Sequence, residues 1–180
     1  MNARTPLLPP PVAHQRARPV EAISETELAA VCALARQSEA VTVMLGHGRD
    51  DLSQHNAHRF AAVWEKGGGA VLDAVSWPEQ AASWLRQARR LTDATPDLWV
   101  LGGPLPGLAQ LIRRLAWSTS WEASRTLGLG LFRSAGALIR LTGADTVAGM
   151  RGGGPDGEIW QVADGAPHAV HPASTGRRQE

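Results

Sequence analysis

The sequence is poor in the residues that announce a chemistry. Its 180 residues include one cysteine, Cys32, and no tyrosine. A single cysteine excludes an internal disulfide and a structural zinc site built on cysteine. Cys32 stands among Val31, Ala33 and Leu34 in a helical pattern, where a buried thiol is expected rather than a nucleophile. No apolar run approaches the length of a membrane span. The stretch Leu7 to Val12 contains three prolines and makes a poor signal-peptide core, so the chain as written is expected in the cytoplasm. Neither G-x-S-x-G nor H-E-x-x-H occurs, so no catalytic residue is named and no enzyme is expected. Lysine is nearly absent too: of 18 basic residues only Lys66 is not arginine, and the formal net charge is +1. That balance gives no steering toward nucleic acid or an anionic membrane.

What is present is an alternation of elements. Residues 1 to 22 are rich in proline and arginine without periodicity and are expected to be a disordered leader. Ser24 and Glu27 have capping-box spacing, and Leu28, Val31, Cys32 and Ala35 follow at helical spacing, which predicts a helix over 25–37. Short apolar runs then predict strands at 41–45, 70–75, 98–101 and 127–132. Between them lie amphipathic segments: a helix capped by Asp50 or Asp51 and stopped by Gly67-Gly68-Gly69, one starting at Ser76 and Pro78, and one carrying Leu108, Leu111, Ile112 and Leu115. A short helix is expected over 137–141. Beyond Met150 the pattern breaks at Gly152-Gly153-Gly154-Pro155; 158–162 and 167–171 have the form of a hairpin about Asp164-Gly165, and 172–180 that of a loose tail. Strand–helix alternation predicts an α/β three-layer sandwich with a mostly parallel sheet, a single lobe over 23–171.

Few motifs carry chemistry. His47, His55 and His58 are the best metal candidates, but no carboxylate or cysteine completes a common ligand spacing, so no metal is expected. The loop Gly102-Gly103-Pro104-Leu105-Pro106-Gly107 lacks the Lys-Ser/Thr of a phosphate cradle and does not fit the dinucleotide fingerprint, so no cofactor is expected either. Asp50 and Asp51 are adjacent and do not face one another; helix capping accounts for them. Of the seven tryptophans, Trp64, Trp84 and Trp99 sit in core patterns; Trp77, at a strand end, either lines a cleft or staples the next helix.

Four stretches, in order, resemble the type I periplasmic substrate-binding proteins, especially branched-chain amino-acid receptors of ABC transporters. The clearest is Asp97 to Arg114 (DLWVLGGPLPGLAQLIRR), a strand ending in Gly-Gly, a short loop and a Leu-Arg helix. Gly48 to Gly68 resembles an acidic loop leading into a helix with a Phe and a terminal Gly-Gly; Ser76 to Leu91 resembles the helix after the second strand; Ala137 to Met150 resembles the Leu-Ala-Gly-Asp stretch near a lobe's end. The match spans about residues 40 to 150, enough for the second lobe alone. The resemblance implies a small polar ligand, amino-acid- or amide-like, a homodimer or partner lobe to cover it, and an ABC transporter permease as partner, in a family that is usually exported. The tyrosine common in that family's Gly-Gly loop is replaced near Pro104 and Leu105, and its acidic residue after the fourth strand has no counterpart in Leu131 to Ser134. A non-catalytic interaction or vestigial domain is the alternative, and a flavodoxin-like enzyme a remoter one. Ligands of parallel sheets sit beyond the strand C-termini; here that edge gathers His47, Arg49, Asp50, Trp77, Gly103, Pro104, Leu105, Arg133 and Ser134.

Overall fold

A computed structural model of the chain describes residues 20–170. The expected leader, apart from Val20–Ala22, and the expected tail lie outside the described residues. Seven strands form one sheet in the order β2-β1-β3-β4-β5-β6-β7. They are β1 (Thr42–Gly48), β2 (Ala70–Trp77), β3 (Leu98–Gly102), β4 (Thr126–Gly128), β5 (Arg151–Gly153), β6 (Ile159–Ala163) and β7 (Ala166–Val170). The first five run parallel, and the four strands expected from sequence are neighbours among them. β6 and β7 close the sheet as the expected antiparallel hairpin.

The helices are α1 (Glu25–Gln37), α2 (Asp51–Lys66), α3 (Leu85–Thr92), α4 (Leu105–Ser118) and α5 (Ala135–Thr142). Strand residues alternate between two cores, as the period of two requires. Val43, Leu45, Leu98 and Val100 meet Leu28, Val31 and Leu34 of α1 and Phe60 and Trp64 of α2. Met44, Trp99 and Leu101 meet Leu91 of α3, Leu108, Leu111, Ile112 and Leu115 of α4, and Leu138 of α5. Helices therefore cover both sheet faces, and three layers result. At the sheet's N-terminal edge the Asp97 carboxylate ties two strands together: Oδ2 accepts from the amides of Val41 (3.0 Å) and Thr42 (2.7 Å) and from the Thr42 hydroxyl. Those bonds hold the carboxyl below the usual range. Arg125 donates to the carbonyls of Pro96 and Asp97 and stands 5.0 Å from the Trp99 ring.

Three elements depart from the sequence reading. The fourth strand, expected to run to Phe132, stops at Gly128, because Gly130 takes a positive φ of 70° that turns the chain into a 3₁₀ turn at Phe132–Ser134. The helix expected from Ser76 and Pro78 begins only at Leu85. The intervening residues are held otherwise: the Trp84 indole donates back to the Pro78 carbonyl at 3.1 Å, and the Glu79 carboxylate reaches across to Gly107. The glycine run after Met150 is itself a strand, β5. Gly152, with Gly128 of β4, leaves room for the Trp160 ring, which a Cβ on Gly152 would approach to 2.5 Å and one on Gly128 to 2.8 Å.

Candidate functional site

Parallel strands deliver their following loops to one edge, together with the N-termini of the helices that come next. A cavity of about 370 Å³ opens on that edge, beyond β3, β4 and β5. Its walls come from four segments: Val20, Glu21, Ala22, Ser24 and Glu27 at the start of α1; Gly103 and Leu105 after β3; Gly130, Phe132, Arg133 and Ser134 after β4; and Pro155 after β5.

Each wall is fixed by a local interaction. Ser24 caps α1 by accepting from the Glu27 amide at 3.0 Å, and its hydroxyl donates to the Pro155 carbonyl at 2.6 Å. Thr26 donates to the same carbonyl. The 21–23 segment is pinned from α2: Asn56 donates to the Glu21 carbonyl (2.9 Å) and accepts from the Ile23 amide (3.2 Å), and Arg59 donates to the Ile23 carbonyl. Glu27, expected to complete a capping box, instead accepts from the Gly130 amide at 2.8 Å. This bond fastens the turn after β4 to the first turn of α1.

Glu27 dominates the electrostatics. It is a charged residue only 5 % exposed in a cavity wall. Burial raises its pKa, opposed by the Gly130 bond and reinforced by the nearby charges of Glu158 and Glu21. On the open side, the Arg133 guanidinium stands 3.7 Å from the Glu21 carboxylate, both well exposed. Phe132 adds an apolar surface, 37 % exposed. The cavity thus offers a buried acid, an exposed arginine and an aromatic ring in its lining.

The structure divides the residues expected at this edge. Gly103, Leu105, Arg133 and Ser134 line the cavity; His47, Arg49, Asp50, Trp77 and Pro104 do not. The strand order explains four of these exclusions, since β1 and β2, whose ends carry His47, Arg49, Asp50 and Trp77, lie on the far side of β3 from β4 and β5. Trp77 is fully buried, its ring against Gly46 and Gly103, so it is core and not a cleft wall. His47 is 8 % exposed, with Nδ1 2.7 Å from the Gly48 carbonyl. Asp50 caps α2, accepting from the Ser53 amide at 2.8 Å. Pro104 is buried at the N-cap of α4, and Arg49 is exposed. Pro104 has no side-chain acceptor, and Glu79 supplies the missing cap by accepting from the Gly107 amide at 3.2 Å. Burial, with the charge of Asp50, pushes the Glu79 carboxyl up to about 7. His55 and His58 are exposed while His47 is buried, and among the described residues no group of three or more His, Cys, Asp or Glu is placed to hold a metal.

The sequence reading missed Glu21, Ser24, Glu27, Gly130, Phe132 and Pro155 as wall residues. For Glu27 a signal existed: it lies four and seven residues before Val31 and Leu34, a charge on the apolar stripe of its helix.

No family model and no curated protein matches the chain. Solved structures do. An extracellular ligand-binding receptor from Rhodopseudomonas palustris HaA2 superposes with a TM-score of 0.62 at 18% identity, over 72% of this chain and 35% of the receptor. A substrate-binding periplasmic protein from Ralstonia solanacearum gives 0.62 at 19%, over 74% and 37%. A branched-chain amino acid ABC transporter periplasmic ligand-binding protein from Burkholderia xenovorans LB400 gives 0.55 at 12%, over 70% and 33%. The chain spans about a third of the length of these proteins. Its sheet and helices have the fold of one lobe of a type I periplasmic binding protein.

Proposed function

We propose that the chain is a binding module for a small zwitterionic molecule of amino-acid or amide type, held in the cavity beyond β3–β5. The observation that carries this reading is Glu27, a carboxylate almost wholly buried in the wall of an otherwise open cavity. An isolated buried charge is costly unless something compensates it, and Glu27 draws one protein hydrogen bond, from the Gly130 amide. A ligand ammonium or amide N–H beside it supplies that compensation. Arg133 attracts a ligand carboxylate. Phe132 and Leu105 take the apolar part. The volume sits at the low end of the roughly 300–1,000 Å³ of small-molecule sites, which suits a ligand of amino-acid size.

One lobe encloses such a ligand from one side, whereas small-molecule sites cover most of theirs. The isolated chain is therefore expected to bind more weakly than about 1 μM, and a partner lobe over the edge is expected to tighten it. The receptors of similar fold suggest an ABC transporter permease as the assembly partner. Calorimetry with a panel of amino acids and their amides tests the reading. Glu27→Gln keeps the acceptor for Gly130 and removes the charge; it should weaken ammonium-bearing ligands about tenfold or more, the effect of losing a charge-assisted hydrogen bond. Arg133→Ala should weaken acids more than amides. Binding indifferent to both changes, or submicromolar binding by a proven monomer, contradicts the proposal.

A further inference from the structure

Taking the cavity as the site of a small zwitterion, the reading on which this rests, we infer that it favours zwitterions carrying a second cationic group. Diamino acids are then preferred to amino acids with a neutral or acidic side chain.

The charges of the lining do not cancel. Among the described residues that wall the cavity, Glu21, Glu27 and Arg133 are the charged ones, two carboxylates to one guanidinium. The three meet around one turn. Glu27 accepts from the Gly130 amide at 2.8 Å, and a Cβ on Gly130 would stand 3.9 Å from the Glu21 carbonyl oxygen. Arg133 leaves the same turn with its guanidinium 3.7 Å from the Glu21 carboxylate.

The surroundings do not restore the balance. Burial raises the pKa of Glu27, and the charges of Glu158 and Glu21 add to the rise. Arg59, which holds the 21–23 segment, spends its guanidinium on the Ile23 carbonyl and the Glu25 carboxylate.

The count selects the ligand. One ammonium and one carboxylate answer Glu27 and Arg133. At 3.7 Å the Arg133–Glu21 pair lies beyond ordinary hydrogen-bond reach, so a ligand carboxylate can take the guanidinium. Glu21 then faces no cation among the lining residues. A second ammonium or guanidinium on the ligand meets it, with two cations for two acids and one carboxylate for one arginine. Phe132 and Leu105 offer apolar surface to the methylene stem between the ligand's charges. An acidic side chain instead brings a further carboxylate toward Glu21. Glu21 and Arg133 are both well exposed, so the preference is modest and sensitive to salt.

Three ligands of similar length that differ in the charge at the side-chain end test this: lysine, norleucine and 2-aminoadipate. Each is titrated into the full chain and followed by amide chemical shifts. At low salt lysine should bind about threefold or more tighter than norleucine, with 2-aminoadipate weakest. Added salt should narrow the gap. Glu21→Gln should bring lysine and norleucine to within about twofold of each other. That change alters an exposed side chain and leaves the Glu21 carbonyl, which Asn56 holds, in place. Norleucine binding as tightly as lysine, or a lysine preference that survives Glu21→Gln, overturns the inference and leaves the zwitterion reading standing. Failure of all three to bind at the cavity overturns both.

Discussion

At the scale of single residues, the chemistry turns on carboxylates in unfavourable places. Glu79 caps α4 from a distance and carries a pKa of about 7 in the folded chain, against the ordinary 4.5. Folding thus favours its protonated form, and the folded state binds more protons than the unfolded state between those values. Its contribution to stability is full below pH 4.5 and is lost as pH rises through about 7. Urea titrations at a series of pH values should show stability falling across that window. Glu79→Gln, neutral throughout and still able to accept from Gly107, should flatten the fall. An equally steep decline in the variant would assign it to other groups. Asp97 works the other way: its lowered pKa adds stability above the ordinary carboxylate value, lost as the pH drops through the folded one.

At the scale of elements, strand and helix positions followed from local pattern, and the misreadings came from a glycine turn and from side-chain contacts that this pattern does not show. β1 and β3 are legible because β-branched and apolar runs are what a doubly covered strand needs, and β2, an edge strand with Ala70, Leu72 and Ala74 exposed, is legible from its own short apolar run. β5 is not, since Arg151-Gly152-Gly153 has poor strand propensity; it pairs because Trp160 fills the space that Gly152 leaves, while Gly153 packs against α1. Gly152→Ala should therefore cost about 1–3 kcal/mol, the usual penalty for overpacking a core, and lower the melting temperature. The same change beside Trp160→Leu should cost less, because the ring no longer occupies the site. A neutral Gly152→Ala would show that the ring moves aside freely. The late start of α3 has a related cause: Trp84 turns back to donate to Pro78, six residues earlier, and Glu79 reaches Gly107, 28 residues on, and the second of these partners is not visible in the local sequence.

At the scale of the whole molecule, the edge beyond the strand C-termini could be read from strand–helix alternation, but the place of the cavity on it could not. Four of the nine residues expected there line the cavity. Of the other five, His47, Arg49, Asp50 and Trp77 belong to the ends of β1 and β2, which the strand order sets on the opposite side of β3, and Pro104 follows β3 but is buried at the N-cap of α4. Sequence alternation says that loops share an edge without saying which loops are adjacent. The first turn of α1 enters the site only because α1 packs on the β4–β5 side, where Glu27 meets Gly130. The central claim, that a small zwitterion sits in this cavity, is tested most directly by amide chemical-shift mapping of the full chain titrated with single amino acids. The account expects saturable shifts at Gly103, Gly130, Arg133 and Ser134, with the Gly130 amide moving most because its acceptor Glu27 meets the ligand. Shifts confined to the opposite edge, around Asp97 and Arg125, or no saturable shift with any amino acid or amide, would contradict it.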